Sequence, residues 1–227
     1  MLPWITVDEA RTADGTVLKL ARRGTEWEVC VDGFVLMSSR AHGSEDDLAR
    51  LAFAKVPHAR TLLIGGLGLG FSLRASLDLL GPRGKVVVAG QSPSVVDWNR
   101  VHVSGLAGRP LEDPRVTVRV GDVRERILEA RAVYDLILLD VDNGPAALIH
   151  QANAGLYDAT GIVACHVALK AGGALAVWAA GPDDNYLRRL QRSGFDASAV
   201  RVAPRPGAGG RKHVVFVAVK APAVSSP

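Results

Sequence analysis

Thr61-Leu62-Leu63-Ile64-Gly65-Gly66-Leu67-Gly68-Leu69-Gly70-Phe71-Ser72 decides the fold. An apolar run stops at glycines and resumes with helical spacing, the form of a strand, a tight turn and a helix start. Gly65, Gly66, Gly68 and Gly70 let the backbone approach a bound group without Cβ atoms in the way. A turn of this kind after the first parallel strand is where open α/β sheets bind nucleotides. The G-x-G-x-G spacing departs from the dinucleotide fingerprint, and the G-K-[ST] ending of a P-loop is missing. Both departures point away from NAD and ATP toward an adenosyl sulfonium ligand.

Outward from this turn, apolar β-rich runs alternate with helical stretches, the pattern of a parallel sheet covered on both faces. Strands are predicted at 60–65, 85–89, 115–120, 134–140, 173–180, 196–202 and 213–219. The helices between them fall near 70–80, 93–103, 122–130, 158–170 and 183–192. Upstream, residues 4–36 alternate apolar and polar side chains around Asp14-Gly15 and Asp32-Gly33, which predicts a small antiparallel β appendage. Ser44, followed by Glu45, Asp46 and Asp47, offers a helix N-cap, and Pro57 ends that helix. The expected organisation is a β appendage over 1–40, a doubly wound Rossmann-like domain over 41–220 and a disordered tail over 221–227.

The 227 residues include 27 Lys and Arg against 23 Asp and Glu, a net charge of +4, and they can bury a large core. No leader or membrane-length apolar run is seen, so a cytoplasmic protein without membrane contact is expected. Cys30 and Cys165 have no C-x-x-C spacing and are expected to be buried thiols. The six histidines show no ligand spacing, and no metal is assigned. Arg201, Arg205, Arg211, Lys212 and His213 form a basic cluster near the end. With only Phe216 as an aromatic neighbour, the cluster reads as a solvated hairpin more readily than as a nucleic-acid contact.

Four strand ends should converge on one crevice. They carry the glycine turn; Ala89-Gly90-Gln91-Ser92-Pro93; Gly121-Asp122-Val123; and Leu139-Asp140-Val141-Asp142-Asn143-Gly144-Pro145. Asp122, followed by Val123, suits either the adenine amine or the N-cap of the next helix. Gln91 is the candidate for the ribose hydroxyls, because Gly90 stands where a carboxylate is expected. Asp140, at a strand tip, suits deprotonation of an amine or retention of a cation. Asp142 and Asn143 belong to a turn-rich segment and are candidate acceptor contacts. Tyr157, Asn153 and Trp178 are candidates for the acceptor side, with Trp178 equally suited to the core.

Taken together, these blocks resemble the spermidine synthase (polyamine aminopropyltransferase) family, which is built on the fold of class I S-adenosylmethionine-dependent methyltransferases. Val31-Asp32-Gly33 resembles the family's L-D-G turn, and Ile64 to Gly70 resembles its I-G-G-G-D-G-G loop. Val86 to Pro93 is similar to V-x-x-V-E-x-D-P, Gly121-Asp122 to the G-D at adenine, Tyr134 to Asp140 to Y-D-x-I-x-x-D, and Leu169 to Leu175 to L-x-P-G-G-x-L. The resemblance implies a seven-stranded sheet whose last strand is antiparallel. It also implies S-adenosylmethionine or its decarboxylated form as co-substrate, a small amine acceptor and a homodimer. In the family's D-x-x-D the first aspartate helps deprotonate the amine and the second helps bind the polyamine. Asp140 fits the first position, Asn143 occupies the second, and Asp142 stands one residue early. The ribose glutamate falls on Gly90, and the family's Y-H-E segment is absent near Gly43 to Asp47.

Aminopropyl transfer and methyl transfer to a small acceptor both stay open at this level. A noncatalytic adenosyl-binding module is the alternative from another class, and an RNA methyltransferase is a weaker one.

Overall fold

The computed structural model describes residues 2–12, 15–141, 144–145, 154–205 and 212–223. Asp142, Asn143, Asn153, Arg211 and the end of the expected tail lie outside them.

The chain opens with β1 (Ile5–Arg11), β2 (Val17–Arg23), β3 (Glu26–Val31) and β4 (Phe34–Ser38). These pair in sequence order as one antiparallel sheet. Positive φ at Asp32 and Gly33 makes the tight β3–β4 turn. Alternation gives this sheet a packing face: Leu18, Leu20, Val29 and Val31 are buried against Leu69, Val95, Trp98 and Val103. The appendage is thereby seated on the glycine turn and the helix beyond it. Cys30 points to the other face and is only half-buried, which corrects the expectation for that thiol, while Cys165 is buried.

The larger unit comprises α1 (Gly43–Lys55), β5 (Thr61–Gly65), α2 (Phe71–Leu79), β6 (Lys85–Gly90), α3 (Pro93–Val101), β7 (Val116–Val120), α4 (Val123–Glu129) and β8 (Tyr134–Leu139). It continues with α5 (Ala154–Tyr157), α6 (Ala159–Ala168), β9 (Leu169–Ala179), α7 (Asp184–Arg192), β10 (Phe195–Val202) and β11 (His213–Lys220). Seven strands run in the order β10-β11-β9-β8-β5-β6-β7, and β11 is antiparallel to both neighbours. The expected sheet is therefore the observed one.

Every central strand is buried on two faces. Leu62, Ile64, Leu136 and Leu138 enter the core under α1 and α2, whereas Leu63, Ile137 and Leu139 enter the core under α4 and α6. This explains why these strands read as continuous apolar runs rather than alternating ones.

Two expectations are corrected. The helix predicted to reach residue 170 stops at Ala168, and β9 starts at Leu169, opposite Tyr134. Ser44 is not an N-cap: α1 begins at Gly43, whose N–H donates to the Pro204 carbonyl at 3.0 Å. That contact draws the helix start two residues earlier, with His42 at the N-cap, and leaves the Ser44 hydroxyl for other partners. No helix among the described residues is long and apolar enough to cross a membrane.

Candidate functional site

From β5 the chain moves through β6 to β7 on one side, and from β8 to β9 on the other. A crevice opens where the direction reverses, beyond the carboxyl ends of β5 and β8. The two tips are joined there: Asp140 N–H donates to the Gly65 carbonyl at 2.8 Å, and Gly66 N–H donates to Ala89 at 2.9 Å. Gly66 has φ of 88°, and a Cβ on it would lie 2.1 Å from the Asp140 carbonyl oxygen. No side chain fits, so glycine at 66 is what lets the turn cross the tip of β8. The Asn99 side-chain amide donates to the carbonyls of Gly68 and Val95, both at 2.9 Å, and ties the turn to α3.

A cavity of about 1200 Å³ lies over these tips. Gly66 and Gly68, Gly90 and Gln91, Gly121 to Val123, and Asp140 with Val141 all line it, so the four predicted strand ends do converge. Met37 and Arg11 of the appendage close one wall. Gly65 and Gly70 stand behind the lining. Gly65 packs between Leu139 and Val123, and Gly70, at φ of 88°, precedes α2. A Cβ on Gly90 would touch only Leu67, at 3.9 Å, so there is free space where the sequence resemblance leads one to expect a carboxylate. Asp122 does two things at once: its carboxylate accepts from Arg124 N–H at 2.8 Å as the N-cap of α4, and it lines the cavity.

Asp140 stands half-buried at the tip of β8, and its Oδ2 accepts from the Ser72 hydroxyl at 2.5 Å. Burial pushes its carboxyl above the usual range, and the Ser72 bond pulls it back only in part. Glu45, in the first turn of α1, faces the same cavity. It is pushed up to about 8, first by burial and then by the negative charge of Asp140, against a hydrogen bond from Ser44. Two carboxyls so placed cannot both ionise cheaply.

Ser44 is fully buried and donates to Glu45 Oε2 at 2.6 Å. With its proton spent there, its oxygen accepts from Nδ1–H of His213, 2.9 Å away. The His213 ring meets Trp178 edge to face, with centroids 4.7 Å apart, and both residues line the cavity. His213 therefore belongs to the site and not to a solvated hairpin, which corrects that part of the basic-cluster reading.

Tyr157 is not brought to the cavity wall. It is buried, its hydroxyl donates to the Val141 carbonyl at 2.8 Å, and its ring packs on Tyr186, so it braces the segment after Asp140. Glu45, Ser44, Ser72 and His213 are the residues that sequence reasoning missed. The only available signal was the acidic start of α1, which reads equally well as dipole compensation.

The chain matches no family model. A polyamine aminopropyltransferase from Korarchaeum cryptofilum is 33% identical over 82 residues, 36% of this chain and 25% of that protein. The match thus spans about a quarter of that relative's length. Solved structures agree over far more of the chain. The spermidine synthase from Thermotoga maritima superposes with a TM-score of 0.77 at 17% identity, covering 95% of this chain and 72% of that one. A spermidine synthase in complex with the transition state analogue AdoDATO gives 0.75 at 17% identity with the same coverage. A probable spermidine synthase from Corynebacterium glutamicum gives 0.68 at 18%, covering 95% and 79%. By these superpositions, the chain has the spermidine synthase-like fold.

Proposed function

We propose that the chain is an aminopropyltransferase that takes decarboxylated S-adenosylmethionine as donor and a small amine as acceptor. One observation carries the reading: the glycine turn and Asp140 are locked to each other by backbone at 2.8 Å, beneath a single cavity. A donor on the turn and a nucleophile at Asp140 would then be fixed in register. The names of the relatives point the same way.

In this reading Gly66 and Gly68 leave backbone free beside the aminopropyl end, Gln91 serves the ribose, and Asp122 with Val123 serves adenine. Asp142 and Asn143 remain proposed acceptor contacts. The amine arrives as a cation and gives a proton to the carboxylate of Asp140. Its freed lone pair then attacks the carbon beside the sulfonium. A C–N bond forms, the C–S bond breaks, and its electron pair leaves on sulfur, which departs as a neutral thioether. A positioned base contributes about 10²- to 10⁴-fold in such a step. Alignment contributes more, roughly 7–11 kcal/mol in well-oriented systems. A cytoplasmic location, a homodimer, and the division at residue 40 into appendage and transferase domain belong to the same proposal.

Calorimetry with decarboxylated S-adenosylmethionine, S-adenosylmethionine and methylthioadenosine tests the reading. Binding of the first and third, with the second at least tenfold weaker, is expected. Preference for S-adenosylmethionine would turn the reading to methyl transfer, and silence from all three would remove an adenosyl site altogether.

A further inference from the structure

The acceptor side lacks a carboxylate at Asn143, yet a second carboxyl, Glu45, lines the same cavity as Asp140. We propose that Glu45, held by Ser44 and His213, is the second carboxylate of the amine site and shares with Asp140 the binding of a diamine cation.

Four observations place it there. Glu45 and Asp140 line one cavity from opposite elements, the start of α1 and the tip of β8. Glu45 is not free to turn away into water, since the buried Ser44 hydroxyl holds it at 2.6 Å and His213 holds Ser44 at 2.9 Å. That chain joins α1 to β11 across 169 residues of sequence, so the carboxyl position is set by the fold and not by a mobile side chain. Trp178, only 9% exposed, lines the same wall, and its indole N–H has no hydrogen-bond partner among the described residues. That N–H can be met only by an acceptor, such as the lone pair of a neutral amine nitrogen, while the two carboxyls meet an ammonium group.

A buried carboxyl pair without a cation is held at one negative charge, since the second ionisation is resisted by burial and by the first charge. An entering ammonium group changes that balance: it favours the doubly ionised pair, expels the shared proton and is itself retained by two charges. The groups facing Glu45 are Asp140 from β8, His213 from β11 through Ser44, and Asp46 from α1, whose charge opposes ionisation and which is paired with His42 at 3.1 Å. Binding of a diamine should therefore release a proton at neutral pH and tighten as the pH rises toward 8.

This inference rests on the aminopropyltransferase reading, and the experiment separates the two. Calorimetry with 1,4-diaminobutane is run on the full chain and on Glu45→Gln and Glu45→Asp, with methylthioadenosine present, in buffers of different ionisation enthalpy. The wild type is expected to bind with proton release. Glu45→Gln should bind at least tenfold more weakly without that release, and Glu45→Asp should recover part of the affinity. In turnover assays Glu45→Gln should raise KM for the diamine more than it lowers kcat. Equal diamine affinity in wild type and Glu45→Gln, or no diamine binding by the wild type, overturns the role of Glu45. Failure of methylthioadenosine to bind overturns the underlying reading instead. The Gln variant keeps the shape of the side chain and removes a repelled charge, so it is expected to fold.

Discussion

Asp135 and Asp140 stand five residues apart on one strand and its tip, and their surroundings could hardly differ more. At the start of β8, Asp135 is saturated with donors. Its Oδ2 accepts from Thr61 N–H at 2.8 Å and Arg60 N–H at 2.9 Å, with the Thr61 hydroxyl at 2.7 Å, and its Oδ1 pairs with Lys170 at 3.0 Å. Burial alone would raise its carboxyl, but these bonds outweigh it and hold the group below the usual range. Asp140 has the Ser72 bond and a carboxyl neighbour, and burial carries it the other way. The strand thus carries one carboxylate whose charge is spent on the fold and another whose charge is still to be satisfied. The second condition is what a binding or catalytic group requires.

The largest test of this contrast is Asp140→Asn. Turnover should fall by about 10²- to 10⁴-fold, the usual worth of a positioned base. Donor affinity should stay within a few-fold, because the glycine turn is held by backbone. Stability at pH 8 should stay level or rise, since a resisted charge has been removed. Turnover near the wild-type rate would reduce Asp140 to a turn residue. Asp135→Asn should do the reverse. Converting an ionised acceptor into an amide disturbs two backbone donors and Lys170, and a loss of roughly 1–3 kcal/mol is expected in urea unfolding. Activity per folded molecule should be unchanged. A variant as stable as the wild type would show that the Asp135 cluster is decoration.

Most of the scaffold was legible in the sequence because its signals are local. The apolar runs of β5, β6 and β8 and the glycines that end β5 are readable from one another within a dozen residues. The N-cap role of Asp122 was legible for the same reason, as it needs only a strand end followed by a helix start. Glu45, Ser44 and His213 were not. Ser44 has the composition of an N-cap, and only the Gly43 contact with Pro204 shows that the helix starts elsewhere. His213 sits in a basic stretch whose character is solvated until β11 is inserted beside β9, where it faces Trp178. Tyr157 misled in the opposite direction, because an aromatic near a suspected site looks like lining until a neighbouring carbonyl claims its hydroxyl.

The smallest effect separates the two aspartates by pH. A group whose folded carboxyl is lowered stabilises the protein above its unfolded value, near 3.8 for Asp135, and that stabilisation is lost as the pH falls through the lowered folded value. A group whose folded carboxyl is raised acts in the other sense. For Glu45 stability is fully present below 4.5 and is lost as the pH climbs to about 8, and Asp140 works in the same direction. The acid flank therefore belongs to Asp135 at the start of β8, and the other to Asp140 at its tip together with Glu45 on α1. In urea melts from pH 3 to 9, Asp135→Asn should flatten the acid flank and leave the other unchanged. Asp140→Asn should shrink the flank above pH 5, leaving the part that burial of Glu45 contributes, and leave the acid flank unchanged. The acid-side change should be smaller than the neutral-pH loss of Asp135→Asn, because the carboxylate is only partly protonated until the pH drops below its lowered value. If both substitutions altered the same flank, the division of labour along β8 would be gone, and with it the reason to regard Asp140 as the unsatisfied charge of the site.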